Sequence, residues 1–317
     1  MKLLALAAPA RRWPVLLPAA AAVLALGACT APASPADDNS PANSSPADSA
    51  SPASTISDLA YAEASPQERL DLYLPESTAR PAPLVIWIHG GGWRVGDKNS
   101  AATFPDPSAS LPQPADCRDI VQVQVPDVAA LNAKGYAVAA INYRLTRNPV
   151  TAVQDAKAAV RFLRANAARY HLDPDRFAAW GNSAGGYSAI MLALTAGQHT
   201  VFDDPALGHA DVSSAVQAVV DWFGAAELSD LPGKPDRAKD PGTYIASGRT
   251  LPPFLIAHGA ADCVVLPQHS RDLHDSLTKA GAVATLTILP GAGHEDPAFM
   301  RTAEAPALAF LSRALGS

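Results

Sequence analysis

The stretch Gly-Asn-Ser-Ala-Gly at residues 181–185 constrains this chain more than any other part of its sequence. A short apolar run at 176–180 precedes it, and a segment rich in helix formers follows at 187–194. Glycines two positions either side of a serine are typical of a very tight strand-to-helix turn, where larger side chains would collide. The first amides of the following helix would point at that serine. The motif therefore predicts that Ser183 presents its hydroxyl at the edge of a sheet.

Apolar runs that alternate with helical patterns indicate the architecture around this turn. Runs that suit buried strands lie at 83–88, 136–142, 216–220, 253–257 and 285–289, and an alternating run that suits a strand lies at 69–74. Helical patterns lie at 126–134, 150–164, 187–194 and 303–314. Strands that alternate with helices predict an α/β fold, with a mostly parallel central sheet flanked by helices on both faces.

The N-terminal part of the chain has a different composition from the rest. Residues 1–28 combine early basic residues with an apolar run too short to span a bilayer, which predicts an export signal. The signal ends in Leu-Gly-Ala followed by Cys29, which resembles a bacterial lipobox, so Cys29 is predicted to carry a lipid anchor. An ordinary cleaved signal is the alternative, and the Arg11-Arg12 pair leaves a twin-arginine route open.

A proline-, alanine- and serine-rich segment follows the signal. Residues 29–55 offer little to bury and are predicted to be a disordered linker, which leaves 56–317 as the folded domain. We therefore expect an exported protein, lipid-anchored to a bacterial membrane through Cys29. The formal net charge of −6 and the absence of a Lys/Arg cluster argue against a nucleic-acid partner. Oligomeric state is left open by the sequence.

A serine is a weak nucleophile unless a base accepts its proton and a third group orients that base. Asp262 and His294 each follow a predicted strand, and glycines flank His294. Their order along the chain, serine then acid then histidine, is the order expected after such a turn. We therefore predict a triad of Ser183, Asp262 and His294. Asp221 also ends an apolar strand and is the alternative acid.

The other histidines are assigned structural or surface positions. His89 and His258 lie where strands end, and we expect them to hold loops by hydrogen bonds. The remaining ones fall in predicted helices or loops and are expected to be solvated. They are His171, His199, His209, His269 and His274.

Three consecutive glycines at 90–92 follow the buried strand at 83–88. Attack on a carbonyl creates an oxyanion, which is best stabilised by backbone amides fixed before the reaction. The amides of Gly91 and Gly92, together with that of Ala184, are predicted to form this oxyanion hole. A phosphate-binding loop is the alternative, but no Gly-Lys-Ser/Thr follows the glycines.

Several motifs together resemble a known family. They are His-Gly-Gly-Gly-Trp at 89–93, Asn-Tyr-Arg-Leu at 142–145, Gly-Asn-Ser-Ala-Gly-Gly at 181–186, Asp262 and His294. In this order they resemble the α/β-hydrolase fold over residues 60–315. They are most similar to bacterial carboxylesterases of the hormone-sensitive-lipase-like group and to secreted feruloyl-esterase-like enzymes. The resemblance implies hydrolysis of small carboxylic esters without a metal or organic cofactor. Relatives often continue Tyr-Arg-Leu with Ala-Pro-Glu, whereas this chain has Thr-Arg-Asn at 146–148.

Two other function classes compete with an esterase. Amide hydrolases similar to kynurenine formamidase carry a comparable His-Gly-Gly-x-Trp loop, and serine peptidases share the fold. A non-catalytic binding protein on the same scaffold is the second class. A complete triad with its glycine loop favours an enzyme, because a binding protein has no need of these groups together.

The segment 96–125 leaves the glycine loop, is rich in proline and could roof the site, since long loops are often functional. If lipid occupies Cys29, then Cys117 and Cys263 remain, either as a disulfide that pins this roof or as two separate thiols. Four aromatic residues could either line the pocket or pack in the core. They are Trp93, Tyr187, Trp222 and Phe223.

Overall fold

An eight-stranded sheet in the order β1-β2-β4-β3-β5-β6-β7-β8 organises the chain. A computed structural model describes residues 54–76, 79–99, 126–230, 236–246 and 248–316, all within the unit Ser49–Ser317. The strands are β1 Ser54–Ala60, β2 Arg69–Leu74, β3 Ala82–Ile88, β4 Ala137–Ile141, β5 Leu172–Asn182, β6 Ala218–Trp222, β7 Phe254–Gly259 and β8 Ala284–Leu289. The helices are α1 Val128–Ala133, α2 Pro149–Ala165, α3 Ala184–Leu194, α4 Gln268–Lys279, α5 Ala298–Thr302 and α6 Glu304–Leu315.

The sheet is parallel except at one edge. Strand β2 runs antiparallel to both of its neighbours, whereas each pair from β4 through β3, β5, β6 and β7 to β8 is parallel. The register aligns Ile88 with Gly181, Gly181 with Asp221, and Asp221 with Ile256. The carboxyl ends of these strands therefore meet at one edge, where ligands of parallel sheets usually bind.

Helices cover both faces of this sheet, as the alternation of side chains in a strand requires. Leu84, Ile86 and Ile88 of β3 point into one apolar layer, which α2, α3 and α4 cover. Val85 and Trp87 of the same strand point into a second layer, which α1, α5 and α6 cover. This architecture confirms the predicted fold class: the protein has the α/β-hydrolase fold.

The described residues include all of the predicted strands and helices but exclude most of the predicted N-terminal segments. The predicted strands and helices are all present, and Ser54 and Thr55, which the sequence placed in the linker, begin β1. The signal at 1–28, the rest of the linker, Cys29 and most of the 96–125 segment with Cys117 lie outside the described residues. In the part of the chain that the structure describes, no helix is both long and apolar enough to cross a membrane.

Candidate active site

Ser183 occupies the predicted tight turn between β5 and α3. Its backbone has φ 52° and ψ −119°, a region that costs a residue with a side chain about 1–3 kcal/mol. A hydrogen bond from its amide to the Trp222 carbonyl, 2.9 Å, helps to hold it there. A Cβ at Gly181 would lie 2.3 Å from the Gly185 carbonyl oxygen, and one at Gly185 would lie 1.9 Å from that of Ile88. Gly181 therefore lets α3 start close to the end of β5, and Gly185 lets α3 pack against the end of β3.

The three side chains predicted as a triad lie in contact. The Nε2 atom of His294 is 2.8 Å from the Ser183 Oγ, and its Nδ1 atom is 2.6 Å from Oδ2 of Asp262. The other carboxylate oxygen of Asp262 accepts hydrogen bonds from the amides of Val264 and Val265, at 2.9 and 3.0 Å. The serine follows β5, the aspartate follows β7 and the histidine follows β8, so the strand ends bring together residues that are distant in sequence.

The electrostatics of this contact favour an ionised acid and a basic imidazole. Burial acts to raise the pKa of Asp262, but hydrogen bonds from His258 and His294 outweigh it and hold that pKa well below its ordinary value. Burial acts to lower the pKa of His294, but the hydrogen bond to Asp262, the charge of Asp262 and the charge of Glu295 together raise it above 6.5. The imidazole is therefore a stronger base than a free histidine.

Asp221, the alternative acid, lies elsewhere in the structure. It is fully buried in β6, and its Oδ1 accepts a hydrogen bond of 2.9 Å from the Gly224 amide. Burial raises the pKa of Asp221 to about 7, against the opposing effects of His258 and of the Gly224 amide. No described residue forms a hydrogen bond with its Oδ2. The carboxylate that contacts His294 is that of Asp262.

The glycine loop meets the start of α3 at the same edge of the sheet. Gly91 and Gly92 have φ angles of 103° and 60°, which glycine adopts without strain. The turn closes through a hydrogen bond from the Val95 amide to the Gly91 carbonyl, 3.2 Å. The Tyr143 hydroxyl lies 2.9 Å from the His89 carbonyl oxygen and 3.1 Å from that of Gly90, and its hydrogen bond anchors the start of the loop. The start of α3 lies close to the end of β3, since a Cβ on Gly185 would lie 1.9 Å from the Ile88 carbonyl oxygen and 2.6 Å from that of His89.

A contact that the sequence did not reveal ties the loops together. The Nδ2 atom of Asn182 lies 2.9 Å from both carboxylate oxygens of Glu295, and both side chains are buried. A Cβ on Gly90 would lie 3.1 Å from each of these groups. The pair therefore joins the residue before Ser183 to the residue after His294, directly beneath the glycine loop.

The four aromatic candidates for the pocket wall differ in their burial and in their contacts. Trp222 is fully buried and packs edge-on against Trp180, with ring centroids 5.0 Å apart, so it belongs to the core. Phe223 lies edge-on to the His294 ring at 4.8 Å and supports the base. Trp93 is partly exposed and meets the buried ring of Tyr187 edge-on at 5.5 Å. Of the four, Trp93 is the one open to a ligand.

Predictions for the other polar groups have mixed outcomes. His269 was expected to be solvated, but it is buried and lies 3.1 Å from the Glu227 amide. Cys263 is disulfide-bonded, and the other two cysteines lie outside the described residues, so the pairing with Cys117 stays a prediction. No cluster of three or more His, Cys, Asp or Glu side chains that could hold a metal ion occurs among the described residues.

A protein-family model and a curated esterase match the sequence of this chain. A family model described as BD-FAE matches residues 70–111 and 118–244. Esterase LipQ of Mycobacterium tuberculosis is 28% identical over 271 residues, which cover 75% of this chain and 56% of LipQ. The chain thus spans about half the length of the curated relative.

Two solved structures are similar over most of their length. A truncated carbohydrate esterase from gut microbiota superimposes with a TM-score of 0.67 at 25% identity, covering 84% of this chain and 97% of that one. Esterase 2 of Thermogutta terrifontis, phosphorylated by paraoxon, gives a TM-score of 0.63 at 25% identity, covering 81% of this chain and 93% of that one.

Proposed function

The chain belongs to the BD-FAE family, and we therefore propose that it is a serine hydrolase that cleaves carboxylic esters. One observation carries this proposal: the Ser183 Oγ lies 2.8 Å from His294 Nε2, whose other ring nitrogen lies 2.6 Å from Asp262. A serine, a base and an orienting carboxylate in hydrogen-bond contact are the groups that acyl transfer requires. The esterase names of the relatives in both comparisons support the same reaction class.

In the proposed mechanism the Ser183 Oγ attacks the ester carbonyl carbon while His294 Nε2 accepts the hydroxyl proton. The carbonyl electron pair moves to the oxygen and gives a tetrahedral oxyanion. When the oxyanion collapses, the bond to the alcohol breaks, and His294 returns the proton to the leaving alkoxide. Water then repeats the sequence on the acyl-enzyme and releases the acid. Asp262 holds His294 in the tautomer with a free Nε2 and stabilises its protonated form.

The amides of Gly91, Gly92 and Ala184 are proposed to bind the oxyanion. The left-handed glycine conformations and the packing of Gly185 against β3 support this role, because they fix the amides before a substrate arrives. Such preorganised donors are usually the largest single contribution to acyl-transfer catalysis, about 3–4 kcal/mol for one donor.

Hydrolysis of a substrate panel tests the proposal. The panel comprises p-nitrophenyl acetate, butyrate and octanoate, methyl ferulate and an acetylated sugar. We expect turnover of at least the short p-nitrophenyl esters, and phosphorylation of Ser183 by paraoxon detected by peptide mass spectrometry. The dependence of kcat/KM on the length of the acyl chain would indicate the size of the acyl pocket, and hydrolysis of methyl ferulate would test for activity on aromatic esters. If the protein cleaves none of the panel and Ser183 is not labelled, the esterase proposal is wrong, and formyl amides would be tested next.

The raised pKa of His294 predicts the pH dependence of that hydrolysis. The imidazole must be neutral to accept the Ser183 proton, so kcat/KM should rise with pH through the pKa of His294, at a midpoint above 6.5. Glu295→Gln removes a charge that contributes to this rise, and its midpoint should therefore move to lower pH. The measurement is kcat/KM for p-nitrophenyl acetate from pH 5 to 9, with the absorbance corrected for the ionisation of the p-nitrophenol product. A wild-type midpoint at or below 6.5 would contradict the prediction.

We also propose that the enzyme is exported and anchored to a bacterial membrane through lipid on Cys29. The basic start, the short apolar run and the Leu-Gly-Ala-Cys sequence support this proposal. Expressed in a bacterial host, the full chain should sediment with membranes and incorporate radiolabelled palmitate, whereas Cys29→Ser should do neither. Equal labelling of the two proteins would contradict it.

A further inference from the structure

The acid Asp262 contacts a second histidine besides His294. His258 lies at the end of β7 and is fully buried, and its Nε2 atom is 3.2 Å from the Asp262 Oδ2. The same nitrogen is 2.8 Å from the Val265 carbonyl oxygen. On the other side of the ring, Nδ1 is 2.7 Å from the hydroxyl of Ser270 in α4. The imidazole is therefore held from two elements and aimed at the acid.

The partners of His258 determine its tautomer. A carbonyl oxygen and a carboxylate oxygen both face Nε2, and neither can donate a hydrogen bond. Nε2 must therefore carry a proton, and in the neutral ring Nδ1 accepts the hydrogen bond of Ser270. The Nε2 proton of His258 is therefore shared between the nearer Val265 carbonyl, at 2.8 Å, and the oxygen of Asp262 that accepts from His294, at 3.2 Å.

The contact has a direct effect on the acid. The hydrogen bond from His258 is the largest of the effects that lower the pKa of Asp262 against its burial. Among the described residues, the charged groups that interact with His258 are Asp262, on the loop after β7, and Asp221, on the neighbouring strand β6. The ring of Phe223 lies edge-on to His258 at 6.5 Å. The Nε2 proton of His258 therefore takes up part of the negative charge of Asp262 that would otherwise act on His294.

We infer that His258 is a positioning residue for the triad: it fixes the carboxylate of Asp262 in the orientation that His294 needs and moderates the charge that His294 meets. The inference rests on the proposed serine hydrolase function and extends the hydrogen-bonded chain to Ser183, His294, Asp262, His258 and Ser270. His258 touches no reacting atom, so its contribution is made through Asp262.

A matched pair of substitutions isolates the contact with Asp262. The side-chain amide of His258→Gln reaches the position of Nε2 and can still donate to Asp262. The shorter side-chain amide of His258→Asn reaches only the position of Nδ1, so it keeps the hydrogen bond with Ser270 and loses the contact with Asp262. We expect His258→Asn to lower kcat about tenfold or more with little change in KM, because the base is misaligned. Its kcat/KM midpoint should move to higher pH, because Asp262 then acts on His294 alone. His258→Gln should resemble the wild type in both respects.

The outcomes separate positioning from a merely structural role. Equal losses in the two variants with an unchanged pH midpoint would overturn the inference, as would wild-type kcat and midpoint in folded His258→Asn. A second measurement needs neither that variant nor activity: ¹⁵N NMR of the histidine rings in the wild type, with His258 assigned from the His258→Gln spectrum. We expect protonated Nε2, and a ring protonated at Nδ1 alone would overturn the inference. If the wild type cleaves no ester, the proposed function fails, while the NMR result still tests the Nε2 tautomer that a bond to Asp262 requires.

Discussion

Replacement of Ser183 by alanine is expected to lower kcat for p-nitrophenyl acetate by about 10⁴-fold or more. The variant lacks the hydroxyl oxygen that is proposed to attack the carbonyl, and water would have to be activated by His294 in a site arranged for a serine oxygen. The fold should be unaffected, because the Ser183 hydroxyl bonds only to His294 among the described residues. The assay compares purified wild type and variant over the ester panel, with thermal unfolding measured on both.

Ser188→Ala provides a matched control for that experiment. Ser188 is a buried serine on α3, and among the described residues its hydroxyl donates only to the Ala184 carbonyl one turn earlier. Removing this intrahelical bond should leave kcat within a few-fold of the wild type. Comparable activity in Ser183→Ala and the wild type would show that the hydrolysis does not use this serine, and would contradict the mechanism proposed above.

The second large effect is expected for Asp262→Asn, with a loss in kcat of about 10⁴-fold. Asparagine keeps the shape of the side chain, but its amide can donate to His294 Nδ1. That bond stabilises the tautomer in which Nε2 carries the proton, and such a ring cannot accept the proton of Ser183. The variant should still fold, because its amide oxygen can accept the bonds from Val264 and Val265.

Asp221→Asn distinguishes the two candidate acids. Its carboxylate accepts from the Gly224 amide, a bond that an asparagine oxygen can replace. Because burial raises the pKa of Asp221 to about 7, the folded protein holds a proton there that the unfolded chain releases near pH 4. Stability is therefore lost as pH rises between these values, and Asp221→Asn should remove that dependence while keeping kcat within a few-fold. A large loss of kcat in Asp221→Asn, with an active Asp262→Asn, would reverse the assignment.

Local sequence signals were sufficient to predict the turn at Ser183 and most of the sheet. Glycine spacing fixes the turn, since the clash distances at Gly181 and Gly185 are set by backbone atoms rather than by distant side chains. The buried strands are continuous apolar runs, the pattern expected of parallel strands that are covered on both faces. Helix α4 was missed because only Leu273 and Leu277 give it an apolar face, and the rest of Gln268–Lys279 is mostly polar.

Side-chain partners across long sequence separations were harder to predict. Asn182 and Glu295 are 113 positions apart, and nothing in either local sequence indicates that one amide would bridge a carboxylate beneath the glycine loop. His269 lies on a polar helix, so its burial against the backbone at Glu227 follows from packing and not from periodicity. Residue order did not separate Asp262 from Asp221, because both lie between Ser183 and His294. The structure separates them, since the loop after β7 reaches Nδ1 of His294.

The order of the strands also has a consequence for how the chain matures during synthesis. Ser183 precedes His294 by 111 positions, and Asp262 precedes it by 32. A nascent chain therefore acquires its glycine loop and serine turn long before β7 and β8 add the acid and the base. Until those last two strands dock, the serine has no partner to take its proton. Hydrolysis should therefore appear during synthesis only after the residues of β7 and β8 and the loops that follow them have been made.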